Sequence, residues 1–366
     1  MTGLHDRPAE SGDDPAGQVV EEPLTTKEGW SRFVADQIEA PPEPGPAAPA
    51  ALTGEQRDAL VEARRDYHAR LPLVNTPTIR EVLATGRLLV QLNRGQVSAR
   101  RGLILSGASG TGKTTALTLL GRTHERAARR RLPAAAGAHR LPVIYVTVPP
   151  AATPKMLAGE FARFLGLEFR ARANLPEIVN AVCTTATRAG VELVLVDELH
   201  NLNLATRSGA EVSDQLKYFA ERLPATFAYA GIELESGGLF AGVRGRQIAG
   251  RFTLIGSAPF DHGTTAQRGD WQALVATLES TLRLRRHVPG TLVGLADYLY
   301  HRTGGMIGSL SQLVRGGALL AVDGEERLTR ELLDLVPVDH AADRASSRTT
   351  AGRASRTRPT ARKAGT

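Results

Sequence analysis

From Thr53 onward the chain alternates between short apolar runs and longer stretches in which apolar residues recur at helical spacing. The runs at 102–106, 143–148, 191–196, 226–231 and 252–257 read as strands. Helices are predicted at 53–70, with Leu60, Ala63 and Tyr67 on one face, and at 77–92, after the helix-starting pair Thr76-Pro77. Strands separated by helices predict a mainly parallel sheet covered on both faces, an α/β architecture. Residues 267–336 carry helical patterning only, with breaks at Gly304-Gly305 and Asp323-Gly324. No internal repeat is present.

The pattern fails at both ends. Residues 1–24 are rich in Gly, Pro and acids, and residues 339–366 in Ser, Thr, Arg and Ala; both are expected to be disordered. Residues 25–38 differ, placing Trp30, Phe33, Val34 and Ile38 at helical spacing behind a Thr25 or Thr26 cap. Such a helix is either a docking peptide on a disordered arm or a helix folded back on its own core, and the sequence leaves the two open. The proline-rich run 41–46 makes a stiff linker. The expected division is a 1–52 acidic arm, a 53–259 core, a 260–338 helical unit and a 339–366 basic tail.

Composition narrows the class. A chain of 366 residues, 42% hydrophobic and 23% charged, has room for one large or two modest domains with a sizeable core. Its single cysteine, Cys183, excludes an intramolecular disulfide and a cysteine-cluster zinc site, and in its apolar surroundings reads as a small buried residue. No segment is long and apolar enough to span a membrane, and the acidic N-terminus lacks a signal core, so a cytoplasmic protein is expected. The net charge of +7 suits a polyanionic partner. The two ends are opposite in sign, the first fifty residues acidic and the last stretch rich in arginine.

The chemistry concentrates at 107–114. These residues read Gly-Ala-Ser-Gly-Thr-Gly-Lys-Thr, a complete G-x-x-x-x-G-K-[ST] phosphate-binding loop with an apolar strand before it and a helix-forming segment after it. Backbone N–H groups of such a loop, with the positive end of the following helix, cradle a polyphosphate. Gly107, Ala108, Ser109, Gly110, Thr111, Gly112, Lys113, Thr114 and Thr115 are therefore the candidate nucleotide-binding residues. Lys113 would reach the β- and γ-phosphates and the Thr114 hydroxyl would ligate Mg²⁺.

The strand 191–196 runs into Asp197 and Glu198. Asp197 is the candidate Mg²⁺ ligand, and Glu198 the candidate base that orients and deprotonates water. Asp197-Glu198-Leu199-His200 also spells the D-E-x-H of one helicase class, but such helicases need a second ATPase-like domain and a downstream arginine-rich motif, neither of which the chain has room for or shows. His200 and Asn201 are better read as sensing the nucleotide or capping the next helix. Glu233, after strand 226–231, is the nearest polar residue where oligomeric ATPases place a sensor, although a carboxylate facing a γ-phosphate is unfavourable. Arg251, and second Arg246, precede the strand at 252–257 and suit an arginine finger reaching a neighbour's nucleotide. Lys155, with Thr153, is the candidate for contact with DNA phosphates; such contacts give affinity without sequence readout. At 5% aromatic residues, a base-stacking platform is not suggested.

Together, Gly107–Thr114, Asp197-Glu198, Arg251-Phe252 and the segment Thr303-Gly304-Gly305-Met306-Ile307-Gly308-Ser309-Leu310 resemble the AAA+ ATPases of DNA transposition, the TniB/TnsC family. The stretches Tyr67-His68 to Thr76-Pro77 and Pro150 to Gly166 are similar to that family as well. The resemblance implies a P-loop AAA+ core, with a parallel five-stranded sheet between helices and a small all-helical C-terminal lid. It also implies ATP bound between subunits, assembly on duplex DNA as a ring or filament, recruitment of a transposase and possibly of a target-selection adaptor, and disassembly on hydrolysis. Lys113 and Thr114 then bind phosphate and Mg²⁺, Asp197 and Glu198 serve Mg²⁺ and water, Arg251 acts in trans and Lys155 touches DNA. The chain departs from the wider AAA+ pattern in lacking an arginine near Ser309, with Arg315 further along, and in having Ile232-Glu233 at the first sensor. Both departures imply slow or partner-dependent hydrolysis. A replication initiator or helicase loader, and a nucleotide-gated signalling switch without DNA binding, are the alternative readings.

Overall fold

The computed structural model describes residues 22–42, 53–131, 140–170, 172–202, 207–235 and 250–339. The outer parts of the arm and tail, and Arg246, lie outside the described residues.

Each apolar run forms a strand: β1 Gly102–Gly107, β2 Val143–Thr147, β3 Leu193–Asp197, β4 Thr226–Ile232 and β5 Phe252–Ser257. They make one parallel sheet in the order β2-β3-β4-β1-β5. In its register Leu105 lies opposite both Ala230 and Ile255. The N-terminal helices are α1 Lys27–Ala35, α2 Gly54–Arg70 and α3 Pro77–Asn93. Those threaded between strands are α4 Lys113–Arg130, α5 Pro154–Phe164, α6 Leu175–Ala189 and α7 Arg207–Arg222. Local chemistry starts them where the sequence signals it: Thr53 with Gln56 and Asn174 with Glu177 close capping boxes, and Thr76 caps α3 ahead of Pro77.

After β5 the chain is helical: α8 Thr265–Ser280, α9 Thr291–Gly294, α10 Ala296–Thr303, α11 Ile307–Val322 and α12 Arg330–Asp334. Gly304-Gly305 separates α10 from α11, and Asp323-Gly324 follows α11, as the pattern predicts. The break at 281–290 was not signalled. It is held by buried Glu279, which accepts hydrogen bonds from the Leu292 N–H at 2.8 Å and from His287 Nε2 at 2.9 Å.

Two apolar cores result. One lies on the two faces of the sheet; the other is built from Trp271, Leu278, Leu299, Leu310 and Leu313 of the C-terminal helices. Helix α2 joins the second core through Tyr67 and Leu71. The Tyr67 hydroxyl donates to the Thr281 carbonyl at 2.7 Å, and the Arg283 N–H donates to His68 Nε2 at 3.1 Å. Buried Arg64 forks onto both carboxylate oxygens of Glu326.

Helix α1 is folded back on the sheet core, which settles the choice the sequence left open. Trp30 is fully buried, and Arg126 holds the Val34 carbonyl at 2.8 Å. Cys183 is buried on α6, where burial pushes its thiol pKa up, the behaviour of an inert core residue. Among the described residues no single helix is long and apolar enough to cross a membrane.

Candidate nucleotide site

Parallel strands end on the same edge, so the loop after β1 and the acids ending β3 come to one side of the sheet, with β4 between them. Gly110 and Gly112 take φ of +78° and +86°, the left-handed region that lets the loop curl. Gly112 caps α4, whose first residue is Lys113. The curl is pinned twice: the Thr111 hydroxyl donates to the Ala108 carbonyl at 2.9 Å, and the Ser257 hydroxyl donates to the Thr111 carbonyl at 3.1 Å. Lys113 Nζ donates to the Ala108 carbonyl at 2.6 Å, so the lysine is folded into its own loop. Burial lowers the Lys113 pKa, against the opposing pull of Asp197, Glu198 and Glu233. Thr114 is exposed and Thr115 half-buried on the first turn of α4.

Asp197 is 2% exposed. Its Oδ1 accepts the Glu198 N–H at 2.8 Å, and its Oδ2 accepts the Tyr145 hydroxyl at 3.3 Å. Glu198 has φ of +58°, a left-handed conformation rare outside glycine. That geometry carries its carboxylate outward to lie 3.3 Å from His200 Nε2. Asn201 Nδ2 donates to the Val148 carbonyl at 2.8 Å, tying the exits of β2 and β3 together. Glu233 lies beside the loop, its N–H donating to the Gly107 carbonyl at 3.3 Å.

Arg251 lies at the other edge. Its carbonyl accepts the Gly102 N–H at 3.0 Å at the start of β1. It is thus a strand length, about 20 Å, from its own phosphate loop. It is half-exposed, 3.7 Å from Glu221. Thr153 caps α5, accepting the Met156 N–H at 3.2 Å, and Lys155 is exposed on the first turn beyond β2.

One part of the site had no sequence signal. A cavity of about 240 Å³ adjoins the loop between residues 70–79, α4, α8 and α11, walled by Leu71, Ile79, Ala116, Leu278 and Ile307 and rimmed by Arg70 and Arg315. Helix α11 meets the loop through backbone: the Gly308 N–H donates to the Gly110 carbonyl at 3.0 Å. A Cβ at 308 would lie 2.9 Å from that oxygen, so the approach requires glycine. Ser309 faces away and donates to Asp339 at 2.5 Å. The residues of α11 facing the loop are therefore Ile307 and Gly308. Arg315, two turns on, lines the same cavity and donates to the Ala69 carbonyl.

Among the described residues no cluster of three or more His, Cys, Asp or Glu forms a protein-only metal site. The donors at the loop are the Thr114 hydroxyl and the Asp197 carboxylate, hard oxygens that need phosphate oxygens and water to complete a shell. This donor set fits Mg²⁺.

A phosphate loop feeding a helix, an acid pair ending the adjacent-but-one strand, the strand order 2-3-4-1-5 and a helical C-terminal unit define a P-loop ATPase fold of the AAA+ type. A family model described as "Bacterial TniB protein" matches residues 64–262, and the chain belongs to that family. No curated protein sequence matches. Among solved structures, the Aeropyrum pernix ORC1 protein in complex with DNA is 19% identical, with a TM-score of 0.54, covering 81% of this chain and 71% of that one. The Aeropyrum pernix ORC2 protein, in ADPNP–ADP complexes, is 16% identical with a TM-score of 0.54, covering 86% of this chain and 71% of that one. CDC6P from Pyrobaculum aerophilum is 16% identical with a TM-score of 0.50, covering 74% and 71%. At these identities the likeness is one of fold.

Proposed function

We propose that this chain is an ATP-dependent, DNA-binding regulator of transposition that acts in the cytoplasm. It oligomerises on duplex target DNA, recruits or activates a transposase, and uses hydrolysis to disassemble. The observation that carries the reading is the convergence of Lys113, Asp197 and Glu198 at one sheet edge, beside a cavity roofed by α11. Residues 53–259 act as the nucleotide-binding core and 260–338 as the lid, with α2 as the strut between them. ATP lies with its phosphates in the loop 107–115 and its base in the apolar cavity that adjoins it; the ORC2 fold neighbour is itself a nucleotide-bound protein. Thr114 and Asp197 would hold Mg²⁺, which shields phosphate charge when bound. Glu198 orients the attacking water and accepts its proton. Arg251, remote from its own loop, supplies positive charge to a neighbour's phosphoryl group. Lys155 and Thr153 touch DNA backbone.

Filter binding of random-sequence duplex DNA, with and without ATP at two salt concentrations, tests this reading. Binding that requires ATP, weakens with salt and loses part of its salt slope in Lys155→Ala is expected. Absence of binding at any salt refutes it. Lys113→Ala is expected to lose nucleotide and DNA binding together.

A further inference from the structure

Both oxygens of Asp197 are engaged by the protein, one by the Glu198 N–H and the other by the Tyr145 hydroxyl. A carboxylate held at both oxygens cannot swing about its Cβ–Cγ bond, so its free lone pairs point in fixed directions. Tyr145 is itself part of a buried stack. Its ring lies 5.8 Å from that of Trp30, at an interplanar angle of 16°. Trp30 is fully buried, and its indole N–H donates to Glu125 Oε2 at 2.5 Å. Glu125, also fully buried, sits on α4, the helix that begins with Lys113. Its second oxygen accepts Arg129 at 2.9 Å.

The slot for the indole is made by the backbone of α4. A Cβ at Gly121 would lie 2.7 Å from Trp30 Cη2 and 2.6 Å from Leu195 Cδ1. Helix, indole, phenol and carboxylate therefore form one packed series: α1 to Trp30, Trp30 to Tyr145, Tyr145 to Asp197.

We infer that Tyr145 is the positioning residue of the metal-binding carboxylate, and that Trp30 makes the docked α1 helix part of the nucleotide site. The inference rests on Asp197 serving Mg²⁺. In the loaded state the Tyr145 hydroxyl keeps one Asp197 oxygen turned away from solvent, and Trp30 keeps the phenol from tilting. Displacing α1 removes the stacking wall, loosens the phenol and weakens Mg²⁺ capture while leaving the phosphate loop intact.

The test is a Mg²⁺ titration of protein holding a fluorescent ADP analogue, with binding read separately in EDTA. Outer partners of metal ligands typically contribute about 10–100-fold in metal affinity. Tyr145→Phe is expected to raise the Mg²⁺ requirement about tenfold, with Mg²⁺-free analogue binding and the melting profile unchanged. Trp30→Phe should raise it less, and the two changes together should be no worse than Tyr145→Phe alone, since they act on one series. In a Trp271→Phe background, Trp30 emission should shift on Mg²⁺ addition, and the shift should vanish in Tyr145→Phe. Asp197→Asn separates the two layers of the argument. If it leaves the Mg²⁺ requirement unaltered, the reading of the site itself fails. If it abolishes Mg²⁺ dependence while Tyr145→Phe matches the unsubstituted protein, the site stands and this inference is overturned. Additive effects of Tyr145→Phe and Trp30→Phe overturn the part assigned to α1.

Discussion

The Glu326 carboxylate gives a prediction whose size the structure sets. It is buried in the turn that follows α11 and accepts Arg64 from α2 and Arg285 from the segment before α9. Burial would raise its pKa, but the hydrogen bonds from Arg64 and Arg285 outweigh burial and bring it from 4.5 down to about 2. At about 1.4 kcal/mol per pH unit, that difference is worth roughly 3 kcal/mol at neutral pH. A carboxyl depressed in the folded state stabilises fully above its unfolded pKa, and the contribution fades as pH falls through the folded value. The pair should therefore hold at full strength above about pH 5, keep about half of its contribution at pH 3 and lose the rest near pH 2.

Glu326→Gln removes the charge and keeps the shape. Stability from urea melts should fall by about 3–5 kcal/mol at pH 7, the usual cost of leaving one member of a buried pair uncompensated. The gap between the variant and the unsubstituted protein should shrink to about half by pH 3, where the carboxyl of the unfolded chain is already protonated, and close near pH 2, where the native side chain takes up its proton. Because Arg64 anchors α2, whose end carries Arg70 and Leu71 at the nucleotide cavity, analogue affinity should weaken in parallel. A stability gap that stays constant from pH 6 to pH 3 would refute the electrostatic account and leave only packing.

Two further substitutions probe the catalytic edge. Glu198→Gln should retain ATP binding yet lose hydrolysis by at least about a hundredfold, the usual scale of a general base, leaving long-lived oligomers on size-exclusion chromatography; normal turnover would remove Glu198 from the mechanism. Arg251→Ala should bind ATP normally and hydrolyse it poorly, and mixing it with Lys113→Ala subunits, which cannot bind ATP but retain Arg251, should restore activity; no recovery in steady-state phosphate release would reduce Arg251 to a surface partner of Glu221.

Legibility followed the range of the signals. Strands were readable because a buried parallel strand must be apolar throughout, which places β1 to β4; β5, a half-exposed edge strand, was readable from its Phe252, Leu254 and Ile255 alone. The positions of the glycine-rich loop before α4 and of the acid ending β3 were readable because the chemistry proposed for them needs fixed residue types at short spacing. The cavity was not, since its walls come from residues 70–79, α4, α8 and α11, which only the tertiary packing brings together. Tyr145 was hidden for a different reason: within Val143–Thr147 an aromatic residue reads as core, and only its diagonal reach to Asp197 shows the hydroxyl at work. The placement of α1 was undecidable from periodicity, because a helix has the same apolar stripe whether it docks at home or elsewhere; the slot at Gly121 decides it.

The departures from the AAA+ pattern acquire a physical meaning at Gly308. Where a sensor arginine is expected near Ser309, α11 contributes a backbone N–H to the Gly110 carbonyl, and Ser309 turns away. Glu233 adds negative charge beside the loop, and Lys113, folded onto the Ala108 carbonyl, lies in the field of three carboxylates. Among the described residues, then, Lys113 is the one basic side chain within the loop itself, with Arg70 and Arg315 at the rim of the adjoining cavity. On the proposed reading, the charge that develops on the transferring phosphoryl group must be met by Arg251 of an adjacent subunit. Hydrolysis is accordingly expected to be slow in isolated chains and to rise steeply with protein concentration once neighbours assemble. An ATPase rate per subunit that is independent of concentration across the assembly range would contradict a site completed in trans.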